Sequence, residues 1–210
     1  MATFYMGVLV PATIFLPIIV ALINKVYWKT TERWVFVYLI FSLFFNTLSK
    51  VLSDRRINNL PFLHLYTVLE FLLLSICFLS VISHQLFRKV VVAGMILFPL
   101  FAGINIWHSD SLYSYNMMPR SVESILIIVY GIFFLLRKFS IESKTDYDFN
   151  YFFVFGMLLY FCSSITLFSL SGFILQDTAL NFFLWNMHAT LVLILYIVIA
   201  VGYFKLRKRQ

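Results

Sequence analysis

Long apolar runs, separated by short polar segments, follow one another along the whole chain of 210 residues. Most of them reach the ~20 residues that a helix needs to cross the hydrocarbon core of a bilayer. An outer-membrane barrel would instead show short alternating strands with frequent turn signals. The pattern therefore predicts seven transmembrane helices, at Phe4–Asn24, Arg33–Leu52, Leu60–Ser83, Val90–Trp107, Arg120–Phe139, Asn150–Ile174 and Leu180–Phe204.

The composition agrees with a chain embedded in lipid over its whole length. Hydrophobic residues make up 62% of the sequence, charged residues only 12%, and the mean hydropathy is +0.92. A soluble domain carries about 25% charged residues. Because no polar module stands apart from the apolar runs, residues 1–210 are predicted to form one all-α domain, a polytopic seven-helix bundle. The connections are too short to hold an appended nucleotide-binding or DNA-binding unit.

The positions of the cations predict that the N-terminus lies outside and the C-terminus inside. No positively charged region precedes the first apolar run, which argues against a cleavable signal peptide. In this orientation twelve of the 16 lysines and arginines are cytoplasmic and four, Lys50, Arg55, Arg56 and Arg120, are outside. This is the bias of the positive-inside rule. The net charge of +7 therefore reflects topology and contact with the lipid bilayer, and nucleic-acid binding is rejected.

Glu70 lies near the middle of the third predicted helix, LPFLHLYTVLEFLLLSICFLSV. At 1.5 Å per residue its depth is ~15 Å, where a charged group costs at least ~2.5 kcal/mol unless it finds a partner. Tyr66 precedes it by four residues and shares its face of the helix. Partners from other helices are His188, Asn186 and Arg120, and we favour the histidine. Alternatively the carboxyl group stays protonated, because burial disfavours the charged form.

Other polar residues of the predicted helices fall in the same outer half. Glu123 follows Arg120 by three residues, so the two side chains can pair near the start of the fifth helix. Farther along, the fifth helix continues as LIIVYGIFFLL and the seventh as LVLILYIVIAVGYF, and neither stretch contains an ionisable group apart from tyrosine. The sequence thus predicts an outward-facing polar pocket above an apolar floor, capped by the connection His108–Pro119. Its predicted ligand-binding residues are Tyr66, Glu70, Arg120, Glu123, Asn186 and His188.

A sensory or ligand-binding protein is the function that we favour for such a pocket. A small molecule would bind in the outer half, and the signal would reach a membrane or cytoplasmic partner protein, since the tails are too short to act alone. The competing interpretation is purely structural. In that case Glu70 and His188 form one interhelical hydrogen bond that fixes the packing of the bundle.

An intramembrane metal-dependent hydrolase is the alternative function. Its zinc ligands would come from His64, Glu70, Glu123 and His188, which are residue types that bind zinc, and a carboxylate could act as base toward metal-bound water. No helix carries the histidine spacing of a known zinc motif. A transporter or an oligomeric pore fits less well, because the inner half is apolar. A retinal protein is excluded, because the seventh helix has no lysine before Lys205.

Three stretches, INNLPFLHLYTVLEFLLLS, RSVESILIIVYGIFFLLR and LWNMHATLVLILYIVIAVG, together resemble a group of small bacterial seven-helix membrane proteins of unassigned activity. The likeness consists of apolar patterns with Glu70, Glu123 and His188 as polar landmarks. The resemblance implies a multi-pass protein of the bacterial inner membrane. It implies no particular chemistry.

Overall fold

The computed structural model describes residues 4–25, 30–109, 111–141, 148–169 and 178–207. Within these ranges the chain is helical, with seven long helices in sequence order. A short 3₁₀ turn, Ser111–Tyr113, lies between the fourth and the fifth. The helices are α1 (Tyr5–Ile23), α2 (Thr30–Asp54), α3 (Leu60–Val81), α4 (Gln85–Ser109), α5 (Met117–Ile141), α6 (Phe149–Ser169) and α7 (Thr178–Arg207).

The seven predicted helices are confirmed, and six of them are long and apolar enough to cross a membrane. The exception is α5, which carries Arg120 and Glu123 near its start and Arg137 and Lys138 near its end. Several helices extend beyond their apolar runs, as α2 does by beginning at Thr30, because polar residues at a helix end also bond along the backbone. The predicted end of the sixth helix, beyond residue 169, lies outside the described residues.

Helix α1 is not regular along its length. Its first part, Tyr5–Leu9, is a π-helix. One short α-helical segment, Val10–Ala12, follows, and the longer regular stretch is Phe15–Ile23. Pro17 has no backbone N–H and cannot bond to the carbonyl of Thr13. The N–H of Leu16 donates to that oxygen instead, at 3.0 Å. The first half of α1 therefore forms a separate segment beside α2 and α7.

The order of the helices in space places α6 between α5 and α7, with which it makes the most extensive contacts. Helix α7 also packs on α1, and α3 packs on α2, α4 and α5. Two glycines allow the close approach of α6 to its neighbours. A Cβ atom at Gly131 would lie 2.8 Å from the Leu158 side chain, and one at Gly156 would lie 2.9 Å from the Leu195 side chain.

Aromatic side chains fill the core on the C-terminal side of Glu70 along α3. The rings of Phe71 and Phe98 are 4.4 Å apart, and Phe78 lies 5.8 Å from both Tyr130 and Phe153. All five side chains are buried. This packed layer, the aromatic floor, agrees with the apolar floor that the sequence predicts.

Candidate binding site

Three charged side chains of α3 and α5 meet in the protein interior, and we call Glu70, Arg120 and Glu123 the ion cluster. Both glutamates have no exposed surface, and Arg120 is 6% exposed. A single guanidinium nitrogen of Arg120, Nη1, donates to Oε2 of Glu70 and, at 2.8 Å, to Oε2 of Glu123. Two carboxyl groups thus share one cation, and the predicted pairing of Arg120 with Glu123 is confirmed as a buried ion pair.

Three tyrosines from three helices complete the hydrogen bonding of the ion cluster. Oε1 of Glu70 accepts hydrogen bonds from the hydroxyl groups of Tyr66, at 2.8 Å, and Tyr38, at 3.1 Å. Nη2 of Arg120 donates to the hydroxyl oxygen of Tyr160 at 2.5 Å. The predicted contact between Tyr66 and Glu70 on one helix face is therefore confirmed.

The prediction that His188 is the partner of Glu70 is wrong, because Glu70 is paired with Arg120. Nδ1 of His188 is hydrogen bonded to Oγ of Ser163 at 2.9 Å, and its ring lies 5.3 Å from that of Tyr160. The physical reason is the helix order. Because α6 lies between α5 and α7, a side chain of α7 meets α6 first and reaches the ion cluster only through Tyr160.

Two further predicted residues stay apart from the ion cluster. The Asn186 side chain donates to the carbonyl oxygen of Phe182 in its own helix, at 2.8 Å. Nε2 of His64 is hydrogen bonded to the carbonyl oxygen of Ser114 at 3.0 Å.

The four residues of the zinc alternative are not gathered at one place. His64 contacts the connection after α4, and His188 contacts α6, whereas the two glutamates share Arg120. In the part of the chain that the structure describes, no three His, Cys, Asp or Glu side chains are grouped so that they could hold a metal ion.

The connection between α4 and α5 lies over the first turns of α3, where the sequence predicts a cap. Besides the bond between Ser114 and His64, Nδ2 of Asn116 donates to Oγ1 of Thr67 and to the carbonyl oxygen of Leu63. Asn116 and Thr67 are both buried. These bonds close the bundle above Glu70 on the α3 side.

A cleft of about 810 Å³ opens between the first half of α1, the second half of α2 and the first half of α7. Its α2 wall is mainly polar and includes Asn46, Ser49 and Lys50, whereas its α1 wall is mainly apolar. His188 belongs to the α7 wall. Of the six predicted ligand-binding residues, only His188 lines this cleft, so the open cavity is displaced toward α1 from the position expected around Glu70.

Two hydrogen bonds tie the irregular part of α1 to the walls of the cleft. Nζ of Lys50 donates to the carbonyl oxygen of Gly7 at 3.3 Å, which joins α2 to α1. The hydroxyl groups of Tyr5 and Thr190 are 2.8 Å apart, which joins α1 to α7. These two bonds hold the first part of α1 against α2 and α7 at the edge of the cleft.

Sequence reasoning missed Tyr38, Tyr160 and Ser163, which connect the predicted residues to one another. A tyrosine or serine inside an apolar helix is common in membrane proteins, so these positions carry no distinguishing signal in one sequence. Comparisons with protein-family models, curated proteins and solved structures find no match for this chain, and its function therefore has to be argued from the cleft and the ion cluster.

Proposed function

We propose that this protein is an integral membrane protein that binds a small amphiphilic molecule in the cleft between α1, α2 and α7. The observation that carries the proposal is the cleft itself. It combines an apolar wall from α1 with a polar wall from α2, and His188 lies on its α7 wall. Ligand sites are concave and largely apolar, with a few polar groups that orient the ligand. A molecule with an apolar body and a polar end fits these walls.

The proposed orientation puts the N-terminus outside, in the inner membrane of a bacterial cell, with seven membrane-spanning helices. The distribution of lysine and arginine supports this orientation. It places the cleft in the outer half of the bilayer, because α1 starts and α2 ends there. Exposed apolar residues of α1 and α2 at the cleft, such as Val8, Phe15 and Val51, favour entry of the ligand sideways from the lipid.

Binding would be transmitted from the cleft to the ion cluster through α6. A ligand that displaces His188 also disturbs the Tyr160 ring, which lies 5.3 Å away. The Tyr160 hydroxyl group in turn accepts a hydrogen bond from Arg120, so the cluster responds to the position of that ring. A membrane or cytoplasmic partner protein then responds to the changed positions of the helix ends.

Fluorescence quenching tests the proposed binding, because Trp185 lines the cleft. The protein is placed in lipid nanodiscs with Trp28, Trp34 and Trp107 replaced by Phe, and a brominated fatty acid is added as the quencher. We expect a saturable component of quenching. Gly7→Phe should remove it, because a side chain at Gly7 meets open space and fills the cleft.

Gly103→Phe is the matched control. A Cβ atom at Gly103 also meets nothing within 4 Å, but this residue lies on α4, away from the cleft. It should leave the saturable component unchanged. Quenching that rises in proportion to the fatty acid, equally in all three proteins, would count against the cleft as a binding site.

A further inference from the structure

The ion cluster contains one more acidic group than basic groups. With both glutamates ionised, Glu70, Glu123 and Arg120 carry one net negative charge. Among the described residues, no second arginine and no lysine bonds to either carboxyl group. A buried charge without a counter-ion is strongly unfavourable, above all inside a membrane. Charge balance at this position requires one additional positive charge.

The two carboxyl groups are not equivalent in their hydrogen bonding. Glu70 accepts from three donors, namely Tyr38, Tyr66 and Arg120, which suits an ionised carboxylate. Glu123 accepts from Arg120 alone through Oε2. Its Oε1 is buried and has no hydrogen-bond partner among the described residues. A carboxylate oxygen without a donor is poorly stabilised, whereas a protonated carboxyl group is neutral.

We propose that the ion cluster is a proton-binding site, which holds one exchangeable proton on Oε1 of Glu123 at neutral pH. The proton comes from water, and its loss leaves the Glu123 carboxylate. The site goes beyond the proposed ligand cleft and does not depend on what occupies that cleft. Among the described residues, the titratable and charged groups around the ion cluster come from five helices. They are Arg120 on the helix of Glu123, Glu70 and Tyr66 of α3, Tyr38 of α2, Tyr160 of α6, and His188 and Tyr196 of α7.

Charge balance gives this proposal a quantitative test by infrared spectroscopy of the full chain in lipid nanodiscs at neutral pH. A protonated buried carboxyl group has a C=O stretching band that shifts in D₂O. We expect one such group per chain in the wild type. Glu123→Gln and Glu70→Gln should each lack the band, because the remaining carboxylate balances Arg120.

Arg120→Gln should double the band, because both carboxyl groups then lose their counter-ion. Arg120→Lys keeps the charge and should keep one protonated group. Glu32→Gln is the control, since Glu32 lies at the start of α2 and outside the ion cluster, and it should not change the band. Absence of the band in the wild type, or its persistence in Glu123→Gln or Glu70→Gln, overturns the proposal. Either result stands without Arg120→Gln, should that variant not fold.

Discussion

Arg120 connects the charged and hydrogen-bonding side chains in the interior of the bundle. Its guanidinium group donates to Glu70, Glu123 and Tyr160, and it lies within 6.0 Å of the Tyr66 and Tyr160 ring centres. A buried ion pair gains little over a well-packed apolar pair while it is complete. Removal of one partner, however, leaves an unpaired charge and costs ~3–5 kcal/mol. Substitutions of the different partners of Arg120 should therefore lower the free energy of unfolding by different amounts.

Glu70→Gln should destabilise the protein more than Glu123→Gln. The new amide group at position 70 would replace one acceptor oxygen by a donor, facing either the tyrosines or Arg120. Because the Glu123 carboxylate then balances the charge of Arg120, the expected loss is that of buried hydrogen bonds to charged groups, ~2–3 kcal/mol. Among the described residues, Glu123 accepts a hydrogen bond only from Arg120, so its change to Gln should cost only ~1–2 kcal/mol. Chemical unfolding of both variants in the same detergent measures the difference. An equal loss, or the reverse order, would mean that Glu70 is not the main anchor of Arg120.

Gly94 lies so close to the Tyr130 hydroxyl oxygen that a side chain at position 94 should lower the stability of the protein. A Cβ atom at Gly94 would overlap the Tyr130 hydroxyl oxygen, which is buried and has no hydrogen-bond partner among the described residues. Gly94→Ala should therefore lower the melting temperature, whereas Tyr130→Phe should have little effect. The double variant should recover most of the loss. Gly103→Ala, where a Cβ atom meets open space, should be neutral or stabilising by up to ~1 kcal/mol. A double variant no better than Gly94→Ala alone would contradict this explanation.

At the scale of the helices, the sequence predicts features that lie within one helix. It does not predict contacts that depend on the order in which the helices pack. The position of Glu70 near the middle of α3 and its contact with Tyr66 follow from the length and the period of one helix. The choice between Arg120 and His188 as the partner of Glu70 depends on α6 lying between α5 and α7. Apolar runs of similar composition do not encode that order. The π-helical start of α1, which opens the cleft, likewise leaves no periodic signal.

The end of α3 offers a prediction at this scale. The Arg88 guanidinium group donates to the carbonyl oxygens of Leu79 and, at 3.0 Å, Ile82, and so satisfies backbone groups that lack helical partners. Because Arg88 is exposed, Arg88→Met should cost only about 1 kcal/mol. Lys89→Met removes an equally exposed cation from the next position and should cost less. Thermal unfolding of the two variants separates the effect of losing the two hydrogen bonds from the effect of losing one positive charge. Equal effects would show that the bonds to α3 contribute nothing.

Across the whole molecule, the ion cluster and the aromatic floor occupy different levels along the bundle axis. The ion cluster and the cleft lie toward the start of α1, the end of α2 and the start of α3, and the aromatic floor lies on the other side of Glu70. If the ion cluster exchanges a proton as proposed, the packed rings would make exchange from the floor side less favourable than exchange from the cleft side. Which side of the membrane supplies the proton and the ligand follows from the orientation of the chain.

Cysteine labelling of intact cells decides that orientation. In a Cys77→Ser, Cys162→Ser background, a single cysteine replaces Ile57 in the α2–α3 connection or Ser83 in the α3–α4 connection, both of which are exposed. With the N-terminus outside, a membrane-impermeant maleimide should modify Ile57→Cys in intact cells. It should modify Ser83→Cys only after the membrane is opened, because that position lies beside Arg88 and Lys89 on the cytoplasmic side. The opposite labelling would place the cleft in the inner leaflet, so that its ligand would come from the cytoplasmic side.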